Sequence, residues 1–268
     1  MARKNFLITG AGRGIGRGLS RLLLKEGHRV ALLDKDEDEL LHTATQIHNA
    51  LRVPESEFRA VACDLREPDA IFHAVQLVGA FFEGHLDVLV NNAAYTGGVG
   101  ASAFEEMTLE EWNCSLETNL TAPMMLSQQC LPMLAKTSHR AKGGCIINMS
   151  STRAFMSEAD NEAYSSTKAG LLGLTQSMAV TLAPRGVRVN AILPGWIHVE
   201  NECREADERG QKWRDGLTEE DHRWHLSGRV GKVEDVLGAV RYLTEEEFAT
   251  GMEMIVDGGV TRKMVYPE

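Results

Sequence analysis

The chain has 268 residues, 43% hydrophobic and 25% charged, which is typical of a globular protein with one sizeable α/β domain. Its formal net charge of −10 argues against a nucleic-acid partner, because such a surface needs clustered positive charge. Since no apolar run is long enough to cross a bilayer and the N-terminus lacks the apolar stretch of a secretory signal, we expect no membrane partner and a cytoplasmic protein.

Short apolar runs alternate with amphipathic stretches such as GIGRGLSRLLLKEG along the whole chain. The runs are nearly continuous in apolar residues, as strands are when helices cover both faces of a parallel sheet. Repeated βα units predict one α/β domain over 1–268, a Rossmann-like doubly wound parallel sheet of about seven strands with helices on both faces. The predicted strands are NFLIT at 5–9, RVALL at 29–33, FRAVAC at 58–63, LDVLV at 86–90, GCIINM at 144–149, VRVNAI at 187–192 and MEMIV at 252–256.

One stretch departs from this alternation. Residues 198–226 are highly charged and contain Trp213 and Trp224. A long insertion of this kind indicates a substrate lid, at about 196–227, rather than a linker. Because it has few apolar anchors, we expect it to be poorly ordered without ligand.

The segment TGAGRGIGRG at 9–18 joins the first predicted strand to the first helix. Gly10, Gly14 and Gly16 allow positive φ and a close approach of the backbone to a ligand. The N-terminus of the following helix favours a pyrophosphate. Asp34 ends the next strand, eighteen residues after Gly16, where a carboxylate can accept hydrogen bonds from a ribose. The alternative is a tight turn followed by a surface aspartate.

The same residues bear on the choice between NAD and NADP. Asp34 would repel a 2′-phosphate, which favours NAD, whereas Arg13 and the neighbouring Lys35 would attract one. The charge of Asp34 would face the phosphate directly, so we expect NAD as the cofactor, with NADP possible.

A second group of residues predicts proton transfer. Tyr164 and Lys168 are four residues apart, so on a helix they share one face. A free phenol has a pKa of about 10, and a nearby ammonium group stabilises the phenolate and lowers that pKa. Ser151 follows a predicted buried strand, and ligands bind at such strand ends. The alternative is a solvated helix face.

Further motifs accompany these two groups: NNAA at 91–94, ETNLTAP around Asn119, PGWI at 194–197 and VDGG at 256–259. With the glycine motif TGAGRGIG and the Tyr-x-x-x-Lys pair in this order, the chain resembles the short-chain dehydrogenases/reductases over essentially its whole length. The resemblance implies that 1–268 is a single dinucleotide-binding oxidoreductase domain.

The resemblance assigns residues to roles. It implies proton transfer by Ser151, Tyr164 and Lys168, and a relay in which a kinked helix at Asn119 frees a carbonyl for a water leading to Lys168. Two positions depart from the family: Val199 stands where a threonine often binds the carboxamide, and Ala94 replaces a glycine. The implied cofactor contacts are Gly10, Arg13, Gly14, Ile15, Gly16, Asp34, Asp64, Leu65, Asn91, Ala93, Tyr164, Lys168, Pro194, Gly195 and Ile197.

The substrate is less defined. Arg153 and Glu158 lie between Ser151 and Tyr164, which favours a polar substrate such as a polyol, sugar or hydroxy acid; alternatively they brace the loop. Trp196 instead favours an apolar roof, together with the tryptophans of the lid. The candidate substrate contacts are therefore Ser151, Arg153, Glu158, Tyr164 and Trp196.

No metal is expected. The five cysteines are scattered, and the histidines at 198, 222 and 225 show no ligand spacing, so we interpret the histidines as surface residues of the lid.

These observations predict an NAD(P)-dependent oxidoreductase that interconverts a secondary alcohol and a ketone. One alternative is a non-catalytic dinucleotide sensor or scaffold with the same fold. Another is a sugar-nucleotide epimerase or dehydratase, which usually needs a longer chain. The resemblance also implies a homotetramer or homodimer assembled through helices at 108–135 and 161–185, with GMEMIVDGG and the tail KMVY completing a tetramer.

Overall fold

In the computed structural model, which describes residues 2–97, 99–100 and 103–264, the strands form one parallel sheet in the order β3-β2-β1-β4-β5-β6-β7. This confirms the predicted seven-stranded Rossmann-like sheet, and each predicted run coincides with a strand to within two residues at either end. The strands are β1 Asn5–Thr9, β2 Arg29–Asp34, β3 Phe58–Ala62, β4 Val88–Asn91, β5 Cys145–Met149, β6 Arg188–Pro194 and β7 Glu253–Val256.

Helices cover both faces of the sheet because successive strand side chains point to opposite sides. Phe6 of β1 belongs to a core cluster that contains residues of α1 and α9, whereas the adjacent Leu7 belongs to a cluster that contains residues of α3 and α5. The helices are α1 Gly14–Lys25, α2 Glu37–Asn49, α3 Pro68–Phe81, α4 Leu109–Leu116, α5 Ala122–Leu134, α6 Glu162–Leu182, α7 Arg204–Arg209, α8 Glu219–Trp224 and α9 Val233–Glu245.

The direction of winding reverses between β1 and β4, which are neighbours in the sheet. The loops that leave these two strands therefore diverge and open a crevice at the carboxyl edge. At this point the backbones pass very close: a Cβ on Gly10, whose φ is +64°, would lie 2.8 Å from the Cα of Ala93. Only glycine fits here, so the turn after β1 can line the crevice.

The stretch 108–135, predicted as a long helix with a kink at Asn119, consists of the two helices α4 and α5. A π-helical turn at Glu117–Thr121 separates α4 from α5 and places Asn119 in the interior. A π-turn inserts an extra residue and bends the helix, as π-bulges at functional sites often do. Among the described helices, none combines the length and apolarity that crossing a bilayer requires.

Candidate active site

A cavity of about 660 Å³ follows the carboxyl edge of the sheet. It runs from the ends of β2 and β3, on one side of the crevice, to the end of β5 and the start of α6 on the other. We call these the adenosine end and the catalytic end, after the roles that the sequence predicts for their residues. Most residues predicted for the site lie along its wall: Gly10, Arg13, Gly14, Ile15, Asp34, Asp64, Leu65, Ala93, Ser151, Arg153, Tyr164, Lys168, Pro194 and Gly195.

Two residues expected to contact the cofactor instead have their side chains in the protein interior. The Asn91 amide donates to Asn148 Oδ1 at 2.8 Å and to Ser127, because it points across the sheet. Ile197 packs into the core beside α9. These side chains support the cavity wall from behind, so a cofactor would meet the backbone of Asn91 and Ile197, and the two predicted contacts stay predictions.

Gly16 is also structural. A Cβ at this position would lie 2.1 Å from the carbonyl oxygen of Gly10, so glycine allows α1 to pack against the end of β1. The N-terminus of α1 faces the cavity at Arg13 and Gly14. Arg13 is exposed, and its side chain has no hydrogen bond or ion pair within the described part of the chain, so the guanidinium is available to an anionic ligand.

Asp34 is held in a fixed orientation by backbone amides. Its Oδ2 accepts from Gly12 N at 2.9 Å and its Oδ1 accepts from Asp36 N at 3.0 Å. A carboxylate offers about four lone-pair sites, so both oxygens can accept further hydrogen bonds from ribose hydroxyls. Gly12 was missed in the sequence, although it lies within the glycine motif; a Cβ there would come within 3.0 Å of Oδ2.

A second contact that sequence reasoning missed joins the loops after β1 and β4. Thr9 Oγ1 accepts from the backbone amides of Asn92 and Ala93, both at 2.9 Å, and the Asn92 side chain donates to Thr9 O at 2.8 Å. These bonds fix the two sides of the crevice relative to each other. The first Asn of NNAA therefore braces the core, and the second braces the cavity rim.

At the catalytic end, Lys168 is almost completely buried, at 2% exposure. Its Nζ donates to Met149 O at 2.8 Å and lies 5.3 Å from the centroid of the Tyr164 ring. Burial disfavours the ammonium form and lowers the pKa of Lys168 to about 8. The lysine is thus held against both β5 and the phenol.

The phenol behaves differently from the sequence expectation. Burial raises the pKa of Tyr164, and the two influences that oppose this rise are the charge of Arg153 and a hydrogen bond from Ser151. In the ligand-free protein, desolvation therefore raises the pKa of the phenol more than neighbouring groups lower it. Arg153 is therefore a cation close enough to lower the pKa of Tyr164.

Ser150 and Ser151, which follow β5, make different contacts. Ser150 is buried and its Oγ donates to Lys168 O at 2.7 Å, which ties β5 to α6. Ser151 Oγ accepts from Arg153 N at 3.1 Å, and its hydroxyl lies close enough to Tyr164 to hydrogen-bond the phenol. The hydroxyl of Ser151 therefore faces the cavity with a set orientation.

Asn119 lies behind the catalytic end and is fully buried. Its carboxamide accepts from Tyr95 N at 2.6 Å and donates to Tyr95 O and Thr167 Oγ1. The side chain thus links the loop after β4 to α6, one residue before Lys168. The π-turn matches the kink that the family resemblance implies, while the carbonyl–water relay stays a prediction.

Arg153 and Glu158 form an ion pair at 2.6 Å, so the loop-bracing interpretation describes part of their role. Arg153 lines the cavity, but Glu158 does not, and its side chain is 69% exposed. Trp196 is 39% exposed and packs near Trp224, outside the cavity lining. Of the three candidate substrate contacts Arg153, Glu158 and Trp196, Arg153 is therefore the one that lines the cavity.

The lid region contains the short helices α7 and α8 and more anchors than the sequence suggested. Trp213 donates to Gly231 O at 3.3 Å and lies under Lys232. The interpretation of surface histidines is wrong for His198 and His225, which are 4% and 3% exposed. The described residues contain no cluster of His, Cys, Asp and Glu able to hold a metal ion.

The first part of the predicted lid is attached to α1. Glu202 O accepts from Gly14 N at 2.7 Å, and its carboxylate pairs with Arg21 at 2.8 Å. Asp207 pairs with the buried Arg17 and with His42. Residues 199–209 therefore lie directly over the start of α1.

The residues present fit a dinucleotide: a glycine turn with a helix N-terminus, a carboxylate positioned for a ribose, and a proton-transfer group at the far end of one cavity. Comparison with known proteins agrees. The family described as enoyl-(acyl carrier protein) reductase matches residues 10–261. An uncharacterised oxidoreductase of Thermotoga maritima is 36% identical over 265 residues, covering 98% of this chain and 97% of the relative.

Two further proteins are similar over nearly their whole length. The L-rhamnose 1-dehydrogenase (NAD(P)(+)) of Azotobacter vinelandii is 33% identical over 261 residues, 96% of each chain. The crystal structure of a 3-ketoacyl-(acyl-carrier-protein) reductase from Brucella melitensis complexed with NADH has a TM-score of 0.79 and 27% identity, covering 96% of this chain and 98% of that one. The chain belongs to the short-chain dehydrogenase/reductase family and is an NAD(P)-dependent oxidoreductase.

Proposed function

We propose that the protein interconverts a secondary alcohol and a ketone, with NAD as the favoured cofactor and Tyr164 as the group that carries the proton. The observation that supports this most directly is the juxtaposition of Ser151, Tyr164 and Lys168 at one end of a cavity whose other end contains Asp34. The names of two relatives, a sugar dehydrogenase and a 3-ketoacyl reductase, are consistent with such chemistry but differ in substrate.

The bound nicotinamide supplies the hydride or accepts it. Ser151 holds the substrate oxygen through its hydroxyl, while Tyr164 takes the alcohol proton during oxidation or returns it during reduction. Lys168, fixed by Met149 O, places a positive charge beside the phenolate once it forms. Asn119 and Thr167 keep α6 in register with the loop after β4, so these groups stay aligned.

We infer the preference for NAD from Asp34. Its carboxylate is oriented by Gly12 and Asp36 amides toward the cavity, where a 2′-phosphate would meet a negative charge. Arg13 and Lys35 line the same end, so NADP is weakened rather than excluded.

The test is a panel of secondary alcohols and ketones with NAD and NADP, followed by absorbance of the reduced cofactor. We expect turnover of at least one alcohol–ketone pair, with higher kcat/KM for NAD. Tight NADH binding without turnover of any member would favour the sensor or scaffold alternative. The intact group of Ser151, Tyr164 and Lys168 argues against that alternative, since it serves no evident purpose without proton transfer.

We also propose a cytoplasmic homotetramer or homodimer. The helices α5 and α6 expose Met124 and Val180, and β7 is preceded by the exposed Met252, so apolar side chains lie on the elements expected to pair. Of the tail KMVY, at 263–266, the last two residues lie outside the described residues. Light scattering should report a dimer or tetramer, and a stable monomer at micromolar concentration would contradict the proposal.

A further inference from the structure

Charged side chains line the cavity in two separate groups. Arg153 and Lys168 occupy the catalytic end, beside Tyr164. No carboxylate accompanies these two cations among the described lining residues of that end. The remaining charged lining residues follow β1, β2 and β3 and belong to the adenosine end: Arg13, Asp34, Lys35, Asp36 and Asp64.

The two cations differ in availability. Lys168 is buried and its Nζ donates to Met149 O. The Arg153 side chain is partly exposed, and within the described residues its guanidinium has one partner, Glu158, reached through Nη2. A guanidinium carries five N–H donors in a planar fork, so Arg153 keeps donors free for an additional anion.

The pairing with Glu158 does not prevent such binding. Glu158 is mostly exposed and lies outside the cavity lining, and ion pairs between exposed side chains contribute little. The contact nevertheless holds the guanidinium in one orientation, in which its carbon lies 6.0 Å from the centroid of the Tyr164 ring. A group bonded close to the reacting carbon of a substrate at Tyr164 is therefore within reach of Arg153.

From this arrangement we propose that the substrate is a hydroxy acid, or the matching keto acid, whose carboxylate binds Arg153. The inference rests on the proposed function and narrows its substrate class. A carboxylate matches the planar guanidinium in a bidentate manner and is the charge that the catalytic end lacks. A neutral polyol or a thioester would leave the remaining N–H donors of Arg153, beyond those that bind Glu158, without an anionic partner.

The reaction balances without further reagents. In oxidation, the carbinol carbon loses a hydride to NAD⁺, the hydroxyl proton passes to Tyr164, and a keto acid, NADH and one proton result. The carboxylate is unchanged and serves for binding. Arg153 is accordingly a specificity-determining residue, and its loss should affect acids far more than neutral analogues.

The test uses matched probes: lactate and 3-hydroxybutyrate, each as both enantiomers, against their methyl esters, and gluconate against sorbitol. For the parent enzyme with NAD we expect kcat/KM to be roughly tenfold or more higher for the acid of at least one pair. Arg153→Met should remove this ratio mainly through KM, Arg153→Lys should keep part of it, and Glu158→Gln should increase it. Calorimetric binding of each acid to the enzyme–NADH complex should follow the same order.

The outcomes separate the two proposals. If neutral members are turned over as well as the acids, or if Arg153→Met leaves the ratio unchanged, the acid substrate is wrong and the alcohol–ketone function stands. If the acids bind in an Arg153-dependent way but no probe is turned over, the binding site stands and the proposed function fails. If no acid binds and none reacts, the inference is overturned whatever the neutral members do.

Discussion

The two ends of the cavity differ in how far their titratable side chains are exposed to water. At the adenosine end, Asp34, Asp36 and Asp64 are partly or fully accessible to water, and each carboxylate accepts a hydrogen bond from a backbone amide. At the catalytic end, Lys168 is buried and its pKa falls to about 8, while burial raises the pKa of Tyr164. Solvated groups suffice to recognise a cofactor, whereas proton transfer near neutral pH needs groups whose charged forms are destabilised.

This difference has consequences for substitutions. A change at the adenosine end should alter which cofactor is preferred with little effect on the chemical step. A change at the catalytic end should alter turnover and, because burying a charge costs free energy, also the stability of the fold. The following predictions test that division, starting with the largest effect.

Replacing Tyr164 with Phe should reduce kcat by roughly 100- to 10,000-fold, because it removes the proton carrier beside the substrate oxygen. NADH binding, measured by fluorescence, should be nearly unchanged. Tyr95→Phe is the matched control, since Tyr95 also lines the cavity and Asn119 contacts it through the backbone. Turnover of the Tyr164→Phe protein within about tenfold of the parent would show that another group transfers the proton.

Replacing Asp34 with Ala should shift the ratio of kcat/KM for NAD and NADP by roughly tenfold or more toward NADP, because the repulsion of a 2′-phosphate is removed. The free Arg13 can then pair with that phosphate. Asp34→Asn separates charge from hydrogen bonding, since it keeps an oxygen for the Gly12 amide. A parent enzyme that already prefers NADP would show that Arg13 outweighs Asp34.

How much of this division the sequence revealed depends on the range of the interactions. The Tyr164–Lys168 spacing and the glycine motif are local patterns, so their place at the cavity could be predicted. The bond from Lys168 to Met149 O and the clamp of Asn119 on Tyr95 join distant segments, and no periodicity encodes them. The same holds for Gly14 and Glu202, which meet because the chain after β6 returns over α1.

Burial is the other quantity that the sequence did not give. His198 and His225 are in a charged stretch, which predicts that they lie on the surface, yet aromatic neighbours such as Trp213 and Trp224 enclose them. Likewise, a Tyr-x-x-x-Lys pair indicates a lowered phenol pKa, but the direction in the ligand-free protein depends on desolvation. The extent of this desolvation depends on packing around the whole site rather than on residue spacing.

Replacing Lys168 with Met should stabilise the ligand-free protein at neutral pH while abolishing turnover. The folded pKa of about 8 lies below the ordinary 10.5, so the charged form is disfavoured in the fold. Between these values the unfolded chain binds a proton that the folded chain does not, so stability rises with pH across that window, and the penalty is complete below pH 8.

The expected gain at about pH 7 is on the order of 1–2 kcal/mol, since the lost bond to Met149 O offsets part of the relief. It should shrink at about pH 10, where the unfolded lysine also loses its charge. Denaturant unfolding at both pH values measures this. Lys35→Met at the exposed adenosine end is the control and should change stability little at either pH. Destabilisation of the Lys168 variant at neutral pH would mean that the hydrogen bond outweighs desolvation.

The smallest expected effect concerns the predicted lid. Its first part, 199–209, is attached to the cofactor side by Glu202 on Gly14 and Arg21 and by Asp207 on Arg17. Its second part, 213–226, is anchored by the hydrogen bond from Trp213 to Gly231 O, and Trp224 remains exposed. The sequence predicted that the whole of 198–226 is poorly ordered without ligand, and the contacts narrow this expectation to the second part.

We therefore expect hydrogen exchange to show 204–209 protected already in the free protein, because ion pairs and a helical turn hold it. Adding NAD with a substrate or inhibitor should raise protection within 213–226 by a few-fold and shift the tryptophan fluorescence, as the segment excludes water from the catalytic end. Trp224→Phe should remove most of the fluorescence shift, whereas Trp213→Phe should keep it, since Trp213 is already packed under Lys232. Equal protection of 213–226 with and without ligands would make the segment a fixed wall. A rise confined to 204–209 would instead place the moving part at the cofactor side and reverse the assignment of the two halves.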